Sequence, residues 1–260
     1  MKKLFALLMA LVMVMSFAAC APQTNEPTET QEPTGTQEPT DDGVKVMTHA
    51  EFAAAAEDAP VLVECYVQAT QGWWENAIVI YAQDKDGGYF AYNVQCSEED
   101  AAKLVPGTKI RISGFKTFYK GMPEVAAGAT FEFVEGADTY IATPVDVTAE
   151  LPSEDLVKKA GMLASFKGMK VEPITDANGN EAAFLYNWDG SGSVGNDLYF
   201  NVSVDGKTYN FCVESYLTGK GTDVYSAVQN LQIGDIIDLE GYIYWYDGIN
   251  PHITAVTPAA

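Results

Sequence analysis

Histidine, arginine and cysteine are scarce in this chain. Its 260 residues hold two histidines, His49 and His252, and a single arginine, Arg111. No Ser/His/Asp or Cys/His arrangement, histidine cluster or glycine-rich phosphate loop can be assembled from them. Acidic pairs are too numerous for any one to stand out as a catalytic dyad. The expectation is a protein that is not an enzyme and carries no cofactor. Four cysteines are present, Cys20, Cys65, Cys96 and Cys212, and none forms the close pairs that a zinc site wants. Positive charge is also short, with 15 Lys and Arg against 36 Asp and Glu, a net charge of −21. Such an excess repels polyanions. It argues against nucleic acid and anionic lipid as general partners, since phosphate contacts need many cations.

Long apolar runs are confined to the start. Lys2 and Lys3 precede an apolar stretch from Leu4 to Phe17, broken by Ser16, and then come Ala18, Ala19 and Cys20. A charged start, a short apolar run and small residues at the cut are the marks of an export signal. The run is short for a membrane span, which needs ~20 residues. Phe17-Ala18-Ala19-Cys20 resembles the lipobox of bacterial lipoproteins. The resemblance implies cleavage after residue 19 and acylation of Cys20 by a diacylglycerol thioether and a fatty acid such as palmitate. The protein would then be extracytoplasmic, anchored to the cell membrane through its N-terminal lipid. Without residues 1–19 the chain keeps 13 basic and 36 acidic residues, a charge of −23.

Residues 20–43 read as a disordered tether. Glu-Pro-Thr recurs at 26–28, 32–34 and 38–40, and no Leu, Ile, Val or aromatic residue interrupts it. Such a segment cannot bury enough apolar surface to offset the entropy of ordering. Proline and like charge should stretch it to a reach on the order of 70 Å.

The rest of the chain contains an internal repeat. At a constant shift of 127, Leu104 meets Leu231, Gly107 meets Gly234, Ile110 meets Ile237 and Ile112 meets Leu239. Gly114 then meets Gly241, Phe118 meets Trp245, Tyr119 meets Tyr246 and Gly121 meets Gly248; after one inserted residue Pro123 meets Pro251. Glycines, aromatics and aliphatics in step over such a span indicate a duplicated domain. The first copy is predicted over 44–141 and the second over 151–260, with 142–150 as a short linker that leaves the two in contact.

Each copy has the same order of elements. In the first, Thr48 and Glu51 form a capping box, alternation over 61–68 gives a strand, and 76–83 and 89–94 flank a glycine turn. Ser97 caps an acidic helix, then strands follow at 108–118 and 124–134. The second copy adds a long insertion at 172–196. Three strands, a helix and two strands is the order of the OB-fold, a five-stranded Greek-key barrel. The segment Leu-x-x-Gly-x-x-Ile-x-Ile/Leu-x-Gly-Phe/Tyr resembles its fourth-strand signature. The fold predicted is mainly β, two tandem OB-like barrels, each led by a short helix.

OB-folds bind ligands on strands two and three and on two flanking loops. Those loops carry Trp73, Trp74, Phe118 and Tyr119 in the first copy and Trp188, Tyr244, Trp245 and Tyr246 in the second. Aromatics so placed suit recognition. They equally suit closure of a barrel end or contact between barrels. The function expected is non-catalytic binding of an extracellular glycan or peptide; the alternative is an adaptor contacting a protein partner. A basic stripe of Lys109, Arg111, Lys116 and Lys120 is absent from the second copy, and reads as a solvated face rather than a nucleic-acid surface. Asp176, Asn178 and Asn180 look like the start of a calcium loop but lack its later ligands, so the expected metal is none. Cys65, Cys96 and Cys212 read as buried thiols, with a Cys65–Cys96 bridge left open.

Overall fold

The computed structural model describes residues 45–259. The signal at 1–19, Cys20 and the whole tether lie outside the described residues.

Helix α1 (His49–Ala54) begins at the expected capping box: the Thr48 side chain accepts from the Glu51 amide, and the Glu51 carboxylate takes the Thr48 amide. Its Phe52 drops into the first barrel. Strands β1 (Pro60–Thr70), β2 (Ala77–Gln83) and β3 (Gly88–Gln95) follow, then α2 (Glu98–Ala101) and β4 (Lys109–Tyr119). The last strand, expected as one piece over 124–134, is two: β5 (Met122–Val125) and β6 (Thr130–Phe133). β5 runs parallel to β3 and antiparallel to the end of β4, whereas β6 pairs with the start of β4. One straight strand cannot follow the long, curving β4, so the chain breaks between them.

β1 pairs with both β2 and β4, which closes the barrel in the order β1-β2-β3-β5-β4. Val61, Val63, Cys65 and Val67 point inward and are fully buried. This is the period-two pattern of a strand with one face in a core.

The stretch expected as a linker adds β7 (Val145–Asp146), parallel to the second barrel's first strand β8 (Leu163–Glu172). A 3-10 helix over Glu154–Lys159, capped by Ser153, precedes β8. The insertion holds the small hairpin β9 (Ile174–Thr175) and β10 (Glu181–Ala182), then β11 (Leu185–Tyr186). β12 (Leu198–Val204), β13 (Lys207–Val213), α3 (Ser215–Thr218), α4 (Asp223–Gln229), β14 (Ile236–Tyr242) and β15 (His252–Pro258) complete the barrel. β8 pairs with β12 and β14, so closure repeats the first order as β8-β12-β13-β15-β14.

The repeated glycine of the fourth strand has a structural reason. A Cβ on Gly114 would lie 2.8 Å from the side chains of Val125 and Ala129, and one on Gly241 would lie 2.4 Å from the His252 carbonyl oxygen. In both barrels the last strand crosses against bare backbone, and any side chain there would push it away.

The barrels touch. Val79, Tyr81, Phe90 and Met122 of the first form one buried cluster with Ala160 and Tyr242 of the second. Backbone meets backbone at Gly88 and Gly161, and Gln83 accepts from the Leu163 amide at 2.9 Å. Strand β2 is therefore covered on both faces: its Ile78 and Ile80 fill the barrel while Val79 and Tyr81 face its neighbour.

Candidate functional site

The eight expected aromatics separate into two groups. Trp74, Trp188, Tyr244 and Tyr246 line one cleft of about 1210 Å³ between the barrels. Trp74 and Trp188 stand 73% and 74% exposed, one from each barrel.

Trp73, Trp245, Phe118 and Tyr119 are outside that lining. Trp73 turns inward, packs on the first core and donates from Nε1 to the Cys96 carbonyl at 2.8 Å. Trp245 packs over Gly121 at the contact between barrels. Phe118 sits 5.2 Å from the Lys116 ammonium. Tyr119 meets Tyr246 edge-on at 6.0 Å. Two tryptophans thus serve packing and two serve the cleft.

The walls of the cleft come largely from strands two and three of each barrel. Val79, Phe90 and Tyr92 belong to β2 and β3, and Tyr199 and Asn210 to β12 and β13. Glu214, Tyr216, Asn250 and His252 also line it. None of these was singled out from sequence. A signal existed: Ala77 to Ala82 is an unbroken apolar run, which marks a strand covered on both faces, so its outward side had to meet something.

The polar groups of the floor are ordered. Gln71 Nε2 donates to the Tyr81 hydroxyl at 3.2 Å, and that hydroxyl lies 2.6 Å from His252 Nδ1. His252 is buried and stacks on Tyr244 at 4.1 Å. Burial holds its pKa down at about 3, so the ring is neutral. Asn250 Nδ2 donates to Asn210, whose own amide donates to Asn201 at 3.0 Å.

Glu214 differs from these neighbours. Its Oε2 is buried with no hydrogen-bond partner. Burial first, and the Asp197 carboxylate second, push its pKa up to about 7. Glu75 is the other carboxylate of the lining, and among the described lining residues there is no Lys or Arg.

In the basic stripe of the first barrel Lys109, Arg111 and Lys120 are partly exposed and ion-paired, while Lys116 is not on the solvated face, which corrects the expectation for that residue. Lys109 and Arg111 both reach Glu64, at 3.0 and 2.7 Å, and Lys120 reaches Asp247 at 2.8 Å. Lys116 is fully buried, its ammonium 3.5 Å from the centre of the Phe52 ring. It points to the interior side of β4, where the repeat places an apolar residue.

Among the described residues no group of three or more His, Cys, Asp or Glu could hold a metal. Asp176 instead accepts from the Asn178 and Asn180 amides, each at 2.8 Å, as a turn does. Cys65, Cys96 and Cys212 are free and buried.

No family model matches the chain, and no curated protein does. Solved structures do. A murine DNA-binding protein bound with double-stranded DNA is 14% identical and covers 77% of this chain and 100% of its own, at a TM-score of 0.36. The Ifi202 HINa domain in complex with a 20-base-pair DNA is 9% identical, covering 78% and 98% at 0.34. A replication protein A heterotrimer bound to single-stranded DNA is 11% identical, covering 77% and 49% at 0.28. The likeness is one of fold.

Two expectations are corrected on this finding. The three structures named are of proteins bound to DNA, and the expectations of a glycan or peptide ligand and of no nucleic acid are corrected. Net charge is a sum over the whole surface and does not describe one cleft. Aromatic rings can hold a base by its face without touching phosphate. Rings alone do not favour a sugar or a peptide over a base.

Proposed function

We propose that this chain is a non-catalytic binding protein that holds nucleobases between the aromatic rings of the cleft. One observation carries the reading: Trp74 and Trp188, from different barrels, both stand largely exposed on the same cleft. Exposed tryptophans cost a protein solubility unless something covers them. Stacking of a base on an aromatic ring contributes ~1–3 kcal/mol. Tyr244 and Tyr246 offer further faces beside them. The reading rests on this geometry and not on the structural likenesses.

The base could arrive on a single strand or as a nucleoside, and the two are separable. Tryptophan fluorescence of the full chain would be titrated with nucleosides and with homopolymeric oligodeoxynucleotides at low and high salt. Saturable quenching is expected, lost in the double variant Trp74→Ala, Trp188→Ala. Without cations in the cleft, the affinity should fall far less with salt than a phosphate-binding surface would. A flat titration with every base would overturn the reading.

We also propose that the protein works outside the cytoplasm, held by lipid on Cys20. The support is Lys2 and Lys3, the apolar run and Ala18-Ala19-Cys20. The Cys20→Ala variant should leave the membrane fraction on expression in a bacterial host; unchanged membrane retention would refute the anchor.

A further inference from the structure

Among the described residues that line the cleft, one buried side-chain oxygen has no hydrogen-bond partner. The Asn210 and Asn250 amides bond to each other and to Asn201, and Gln71, Tyr81 and His252 bond in a chain. Glu214, at the end of β13, lines the same cleft with an oxygen that has no partner. A buried acceptor left unpaired is costly. It is a cost that a ligand bearing donors would remove.

We infer that the cleft selects guanine over the other bases, through Glu214, and takes it without need of its phosphate. This rests on the nucleobase reading above. A carboxylate is acceptor-only and has two oxygens side by side. Guanine presents two adjacent donors, N1–H and the N2 amine, on its pairing edge. Adenine and cytosine place an acceptor nitrogen beside their amine, and thymine and uracil flank a single N–H with carbonyls. Each of those sets an acceptor against the carboxylate. Phosphate finds no counter-charge here: the charged lining residues are Glu75 and Glu214.

The test is a binding series on the full chain at pH 8, where Glu214 is ionised. Guanosine, inosine, adenosine, cytidine and guanosine 5′-monophosphate would be titrated by fluorescence and calorimetry. Guanosine should bind about 10- to 100-fold tighter than adenosine or cytidine, the range of one good bidentate contact. Inosine, which lacks the N2 amine, should fall between. The monophosphate should bind no tighter than guanosine. Glu214→Gln, whose amide offers one donor and one acceptor, should weaken guanosine and tighten adenosine, so that the preference for guanosine is lost. Equal affinity for all bases, or a Glu214→Gln variant that keeps the preference, would overturn the inference and leave the nucleobase reading standing. Choline binding tighter than guanosine would overturn it too, by making Glu214 part of a cation site. Failure of every nucleoside and oligonucleotide would instead take down the nucleobase reading itself. The ranking on the unmodified chain decides even if the variant folds poorly.

Discussion

Glu124 and His252 are counterparts in the sequence repeat, although the strand registers differ: Glu124 lies opposite Thr117, and His252 opposite Tyr242, which the repeat matches to Phe115. After the inserted residue the repeat aligns Pro123 with Pro251, and so Glu124 with His252. Both are buried on the outward side of the last strand, near Tyr244. Their pKa values move apart for one reason. Burial pushes the carboxyl of Glu124 up to about 7 and the imidazole of His252 down to about 3. Desolvation favours the neutral form of each. Each barrel thus buries one titratable group on this strand, with opposite chemistry. The difference lies in partners. His252 hydrogen-bonds with the Tyr81 hydroxyl and stacks on Tyr244, whereas Glu124 has the charge of the buried Lys116 nearby, a weaker influence on it than burial.

A second contrast sits behind the first. Lys116 corresponds to Ile243, and both are in the interior. Burial brings the lysine pKa down to about 8. The first barrel keeps a charge where the second keeps a hydrocarbon.

The comparison can be broken at its strongest point. His252→Ala should cost about 3 kcal/mol, because Tyr81 loses a hydrogen-bond partner and Tyr244 its stacking partner. Denaturant unfolding would measure it; a loss under 1 kcal/mol would mean that His252 is as weakly held as Glu124.

A smaller pair of effects sharpens the contrast within the first barrel. Glu124 has a folded pKa above its unfolded value, so its neutral form stabilises below about pH 4.5 and that stability is lost as pH rises through about 7. Glu124→Gln should therefore change little at pH 4 and gain about 1–3 kcal/mol at pH 8. Lys116 has a folded pKa below its unfolded value, so its stabilising neutral form is present above about pH 10.5 and is lost as pH falls through about 8. Lys116→Met should gain about 1–2 kcal/mol at pH 7, since the ring of Phe52 offsets part of the charge burial. That gain should vanish by pH 11. Unfolding curves across pH that ran parallel for the two variants would sink this account.

Much of the fold was legible because local and repeat signals agreed. The Thr48–Glu51 box, the alternation of Val61 to Val67 and the paired glycines of the fourth strand each pointed to a barrel. The break between β5 and β6 was not legible, since it depends on how far β4 curls. The insertion's short strands were missed because two-residue pairs carry no periodicity. For the candidate site, the loops were read and the sheet faces were not. Trp73 and Trp74 are adjacent in sequence yet face the core and the cleft, and nothing local separates them. Glu214 and His252 gain their character only from burial, which a sequence does not print.

The hairpin turns of the two barrels meet residue for residue: Tyr119 touches Tyr246, and Lys120 pairs with Asp247. Each is its own counterpart under the repeat. That is how two identical subunits meet across a twofold axis, where a residue faces its own copy. Two copies of one barrel would set lysine against lysine there, or aspartate against aspartate. The opposite charges are open only to a chain whose halves mutate separately. The turn thus has the contact pattern of a twofold pair, with unlike charges where a true twofold would set like against like.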